Sequence, residues 1–153
     1  MDYDIVNNEQ REEIYRQRND ILNADDISET VKKMIDLESH NEKVEGRDIQ
    51  YYEEISTPET YDDQKEIILS VLDREWMQHI DNLEQLRQSI GLQAYAQKDP
   101  VIAYRNESYE LFAEMIASIR ETSIHIIMEY LKEQKENTEI ESQEADSKEE
   151  ISA

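Results

Sequence analysis

WMQHIDNLEQLRQSIGLQAYAQKDPVIAYRNESYELFAEM, residues 76–115, decides the fold. Apolar side chains step by three or four residues through Leu69, Leu72, Trp76, Ile80, Leu83, Leu86 and Ile90. They do so again through Tyr104, Phe112, Met115, Ile119, Ile126 and Tyr130. Each set falls on one side of a helix. Between the two lies a short polar tip, residues 92–100, and a connection this short turns the helices antiparallel with their apolar stripes facing. One aromatic, Tyr95, sits at the tip, where it is expected to be exposed.

Working outward, residues 3–22 read as a first helix with Val6, Ile14, Ile21 and Leu22 as its apolar positions. Residues 23–25 break it. Asp26, followed three residues later by Glu29, fits a capping arrangement and starts a second helix that runs to about Leu37. Residues 38–56 lose the pattern and read as loop, with a short strand-like stretch at Ile49, Gln50, Tyr51 and Tyr52. Thr57-Pro58 then opens the hairpin, with proline at the first helical position, where its missing N–H costs nothing. After about Gln134 the chain is Glu, Ser, Asp, Lys and Gln with almost no apolar residues. Residues 135–153 are therefore expected to be a disordered acidic tail, unable to offset their own ordering entropy.

The composition agrees with an all-α chain. Two glycines and two prolines in 153 residues leave little material for sheets and tight turns. Hydrophobic content is 37% and charged content 35%, which suits long helices with narrow apolar stripes. The net charge of −22 disfavours nucleic acid and direct adsorption to an anionic membrane, since both need clustered Lys and Arg. A basic protein surface is electrostatically favourable, although the charge also serves simply to keep a lean helical protein in solution. There is no cysteine, hence no disulfide and no thiolate metal site. No apolar run approaches the ~20 residues needed to span a bilayer, and no signal-peptide-like segment opens the chain. The expected place is the cytoplasm, with any membrane contact made through a protein.

Residue identity says more than periodicity. Asp73-Arg74-Glu75-Trp76-Met77-Gln78-His79-Ile80, then Leu86-Arg87-Gln88, Tyr95-Ala96-Gln97-Lys98-Asp99-Pro100, Tyr104-Arg105-Asn106-Glu107 and Phe112 resembles the two-helix finger of the SecA preprotein translocase family. Tyr3-Asp4-Ile5-Val6, Gln10-Arg11, Ile14-Tyr15 and Arg18-Asn19 resembles the end of that family's long scaffold helix. The two blocks stand in the family's order. The resemblance implies scaffold-helix end over 1–24, a cut-down wing over 25–60, the finger over 61–134 and the acidic tail beyond. It also implies that the tip touches the translocating polypeptide through Leu92, Gln93 and above all Tyr95. The implied partners are a preprotein, the membrane protein-conducting channel, and motor domains on the same or another chain. Ser89, Gly91, Gln93 and Ala94 depart from the commoner family pattern at the tip, and the family's nucleotide-binding domains have no counterpart here. The chain resembles a C-terminal piece of such a protein, peripheral at the cell membrane through the channel.

Other candidate chemistry is sparse. A phosphate-binding loop needs glycines five apart followed by Lys and Ser or Thr; the glycines are Gly46 and Gly91, and neither precedes a lysine. No ATP site is expected in this chain, and ATP belongs to the motor domains of the resembled family. His40, His79 and His125 are far apart and lack metal-ligand spacing, so no metal and no cofactor are expected. Trp76, on the stripe between Leu72 and Ile80, reads as core. Arg87 and Gln88 either bridge to a neighbouring helix or face solvent. From the pattern alone the better reading of Tyr95 is a ring that closes the inter-helix turn by packing on Leu92 or Ile102; the resemblance reverses this. Two further readings remain beside the translocase one: a free-standing acidic helical adaptor for a basic protein, and a remnant without function.

Overall fold

A computed structural model of the chain describes residues 3–39, 49–92 and 99–152. These form α1 (Tyr3–Leu22), α2 (Ile27–Glu38), α3 (Ile49–Ile55), a single 3₁₀ turn at Pro58–Thr60, α4 (Tyr61–Leu92) and α5 (Pro100–Ser152). Among the described residues there is no strand, in keeping with the all-α expectation. The hairpin dominates: α4 has 32 residues and α5 has 53, roughly 50 and 80 Å at 1.5 Å per residue.

Three apolar clusters fasten the hairpin. At the α4–α5 turn end, Leu83 and Ile90 of α4 meet Tyr104 of α5 and Val6 of α1. In the middle, Val71, Leu72 and Trp76 meet Met115, Ile119 and Ile14. At the base, Ile68, Ile124, Ile127, Met128 and Leu131 take Ile27, Val31 and Ile35 of α2 together with Tyr52 and Ile55 of α3. The order of the clusters sets the topology. α1 lies along the hairpin with its N-terminus towards the turn, antiparallel to α4 and parallel to α5. α2 and α3 cover the base.

Local chemistry explains the boundaries. Asp26 caps α2, its carboxylate accepting from the Ser28 N–H at 2.9 Å. The apolar step Ile27, Val31, Ile35 then gives α2 one buried face. Thr60 Oγ1 donates to the Thr57 carbonyl at 2.6 Å and closes the 3₁₀ turn at Pro58, from which α4 continues. Asp99 caps α5, accepting from the Ile102 N–H at 3.2 Å. A buried polar knot joins α3 to α4: the Tyr52 hydroxyl donates to Gln64 Oε1 at 2.6 Å, and Gln64 Nε2 donates to Ser56 Oγ and Thr60 Oγ1, each at 3.0 Å. Every polar atom of Gln64 is thus satisfied, and burial pushes the Tyr52 phenol up to about 12. Glu38, only 5% exposed, accepts from Arg120 at 2.5 Å and clips the end of α2 to α5.

The structure corrects the sequence reading in four places. Residues 49–55 form helix α3, not loop with a strand-like stretch; Tyr52 and Ile55 lie one turn apart and bury the same side against the base cluster, which an extended segment would not do. On α4, Ile80 is 44% exposed, and the neighbouring His79 is buried at 2%. On α5, Ile126 and Tyr130 are half-buried at the edge, while Ile124, Ile127, Met128 and Leu131 are the core positions. The buried arc of α5 turns because α2 and α3 cover it from a second side.

The fourth correction is the tail. α5 runs unbroken through Ser152, with every side chain from 135 to 152 exposed. The segment is rich in strong helix formers and holds no glycine or proline. It extends a helix already nucleated by the core, so it needs no nucleus of its own. Because it buries nothing, deleting residues 135–153 should change unfolding free energy by less than about 0.5 kcal/mol while removing helical circular dichroism signal. A large loss of stability on urea denaturation would show that the extension packs on the body.

Candidate functional site

The hairpin end is built from the first cluster upward. Ile90 is the last buried residue of α4; two residues on, Leu92 is 85% exposed. Gln93 and Tyr95, the other two tip residues singled out from sequence, lie outside the described residues, as do Ala94, Ala96, Gln97 and Lys98. On the returning helix α5 Ile102 is 56% exposed, and Tyr104 is fully buried. Tyr104 anchors this end. The Tyr3 ring meets it edge-on at 4.7 Å, and its hydroxyl donates to Asn7 Oδ1 at 2.5 Å. Burial raises its phenol above the usual range. Arg87 stacks over the Tyr3 ring at 5.1 Å, which settles its role as a bridge to α1, whereas Gln88 is exposed and bonds within α4 to Glu84. The end of the hairpin is therefore backed by α1 and presents Leu92 and Ile102 beyond the core.

Behind it runs a polar seam between α1 and the hairpin. Glu9 accepts from Arg105 at 3.3 Å and from the Tyr109 hydroxyl at 2.6 Å; Arg18 meets Asp73 at 3.0 Å. At its centre His79 Nε2 lies 2.7 Å from Gln10 Oε1, both side chains 2% exposed. The Trp76 and Phe112 rings flank the imidazole at 5.5 and 5.8 Å. With the amide oxygen as acceptor, the His79 proton sits on Nε2. Desolvation in this apolar pocket lowers its pKa to about 4, so the ring is neutral at pH 7. Gln10 Nε2 has no partner, and an unmade hydrogen bond on a buried donor costs roughly 1–3 kcal/mol.

Sequence reasoning missed this pair. The signal was present: the spacing Leu72, Trp76, His79, Leu83 is as helical as the one through Ile80, and Gln10 stands midway between Val6 and Ile14 on the only apolar face of α1. A polar residue on such a stripe asks for a buried partner.

Among the described residues no group of three His, Asp or Glu is placed to hold a metal ion. The grooves are open ones between helices; one of about 460 Å³ runs between α1, α2, α4 and α5 over Ile21, Met34, Leu72 and Ile116. No helix among the described residues is long and apolar enough to cross a membrane. The described residues form a long antiparallel helical hairpin with Leu92 and Ile102 exposed at one end.

A family model, the SecA wing and scaffold domain, matches residues 1–63 and 37–131. The chain belongs to the SecA family. The match ends at Leu131, the last buried residue of α5, so the SecA-like part coincides with the packed body and leaves the exposed extension outside. Protein translocase subunit SecA of Pelotomaculum thermopropionicum is 31% identical over 179 residues, covering 83% of this chain and 20% of that protein. SecA of Halothermothrix orenii is 31% identical over 175 residues, with 81% and 21% covered. SecA of Carboxydothermus hydrogenoformans is 38% identical over 107 residues, with 70% and 12% covered. The chain spans about a fifth of the length of the first of these SecA proteins.

Proposed function

We propose that this chain is the helical scaffold and two-helix-finger portion of a SecA-like translocase, and that its role is mechanical. Motor domains would move the hairpin, and its end would engage a preprotein at the mouth of the membrane channel during ATP-driven export. The observation carrying this reading is the SecA wing and scaffold match over the whole packed body. Supporting it, the hairpin end projects past Ile90 with Leu92 exposed, held from behind by Tyr104, Tyr3 and Arg87. Leu92, Gln93 and Tyr95 are the proposed polypeptide contacts; a phenol ring gives apolar contact and a backbone hydrogen bond, neither of which reads sequence. The proposed site of action is the cytoplasmic face of the membrane, reached through the channel. The segment 25–60 is proposed as a reduced wing. The match to the Pelotomaculum protein needs 179 aligned positions for 83% of a 153-residue chain, so that relative carries extra residues inside the span.

A photo-crosslinker placed at Tyr95, in a reaction supplying motor, channel and preprotein, should capture both preprotein and channel. The same probe at Gln78, exposed on the flank of α4, should capture far less. Equal capture at both positions, or none at Tyr95 with the helices intact, would defeat the finger reading. The second outcome would favour an acidic adaptor that binds a basic protein.

A further inference from the structure

α1 is weakly anchored for its length. Of its 20 residues only Val6, Gln10 and Ile14 are buried, and one of those three is an amide. Its other fastenings to the hairpin are the half-buried bond from Tyr104 to Asn7, the Tyr3 ring against Tyr104 and Arg87, and two surface links, Glu9 to Arg105 and Tyr109 and Arg18 to Asp73. Exposed ion pairs of this kind hold little. α2 and α3, by contrast, share the largest apolar cluster with α4 and α5.

The one fully buried hydrogen bond from α1 to the hairpin is imperfect. The Gln10 oxygen is satisfied by His79 at 2.7 Å, but its Nε2 is not satisfied at all. On separation both amide and imidazole become fully hydrated, so opening recovers a solvation loss that an apolar seam would never have incurred. What separation forfeits is chiefly the packing of Val6, Ile14 and the Tyr3 ring. The far end of α1 is pinned differently. Ile21 and Ala24 pack against the base cluster, Lys65 donates to the Leu22 carbonyl at 3.4 Å, and Asp26 is committed to capping α2.

We propose that residues 3–18 of α1 form a strap that lifts off the hairpin as a unit, pivoting at residues 21–26 while α2 to α5 stay assembled, with the Gln10–His79 pair as its latch. Lifting uncovers the side of the hairpin that carries Trp76, His79, Leu83 and Tyr104, and frees its turn end from Tyr3 and Val6. The device is independent of the translocase reading, since it rests on packing alone.

Native-state amide hydrogen exchange on the full chain tests it. Amides of α1 should exchange through one shared opening, at least about tenfold faster than those of α4 and α5 around Ile68 and Ile127. Gln10→Ala, which strips His79 of its partner, should speed α1 exchange further and leave the base amides unchanged. Replacing both partners, Gln10→Leu with His79→Leu, should slow α1 exchange about tenfold or more, because two apolar groups can fill the site without an orphan. If α1 exchanges at the rate of the base amides with the same denaturant dependence, there is no strap. If the single and double variants move α1 in the same direction, or not at all, the pair is no latch. Should a variant fail to fold, the wild-type rates still decide the strap.

Discussion

Between pH 7 and pH 4 the wild-type chain should lose about 3 kcal/mol of stability relative to His79→Gln. His79 has its folded pKa depressed from 6.5 to about 4 by burial. The unfolded chain therefore takes up a proton first as pH falls through 6.5, and the folded chain resists until about 4. Stability from the neutral, buried ring is fully present above 6.5 and drains away across that window. The variant lacks the group. Taking the difference between the two proteins removes the background from the many carboxylates, whose mutual repulsion also relaxes on acidification. Urea titrations at several pH values, compared pairwise, read the effect. A difference that stays flat to within about 0.5 kcal/mol would mean that the imidazole is hydrated in the folded state.

Trp76→Ala should cost about 3–5 kcal/mol, a large share of the 5–15 kcal/mol typical of a domain. The indole is 9% exposed and fills the middle cluster, where Ile14, Leu72, Met115 and Ile119 converge. It is the one cluster in which α1, α4 and α5 meet far from either end, so neighbouring side chains cannot collapse into the void without moving a helix. Met77→Ala, one residue along and 68% exposed, should change stability by less than about 0.5 kcal/mol. Chemical denaturation of the pair gives the contrast. Similar losses for both would mean that α4 is rotated from the arrangement described.

Much of the architecture was legible because helices announce themselves locally. The bounds of α1, the cap at Asp26, the Asp99-Pro100 start of α5 and the core role of Trp76 follow from spacing and capping chemistry that act within a few residues. The errors share another cause. At residues 49–52 the sequence offers three β-favouring side chains, and a seven-residue helix has almost no intrinsic signal. Only the base cluster, drawing Tyr52 and Ile55 to one side, decides for helix. Past Gln134 the lack of apolar side chains leaves every described side chain exposed; helix persistence follows instead from propensity and from the nucleated helix upstream.

The candidate site divides in the same way. Leu92 is exposed at the hairpin end, where the periodicity stops, but the reading of Gln93 and Tyr95 rests on family resemblance, since they lie outside the described residues. The Gln10–His79 pair could not be located from one helix at a time. Each residue is an ambiguous polar position on its own helix, and the two stand 69 residues apart.

The sequence by itself determined α1, α2, the paired helices of the hairpin, their caps and the family, because these depend on residue order and on contacts within a turn or two. The tertiary structure decided which arc of each helix is buried, that 49–55 is helical, and that α1 rests on a polar latch. Those outcomes depend on which elements cover which faces, and a helical stripe leaves a choice of neighbouring residues that only a packed partner resolves.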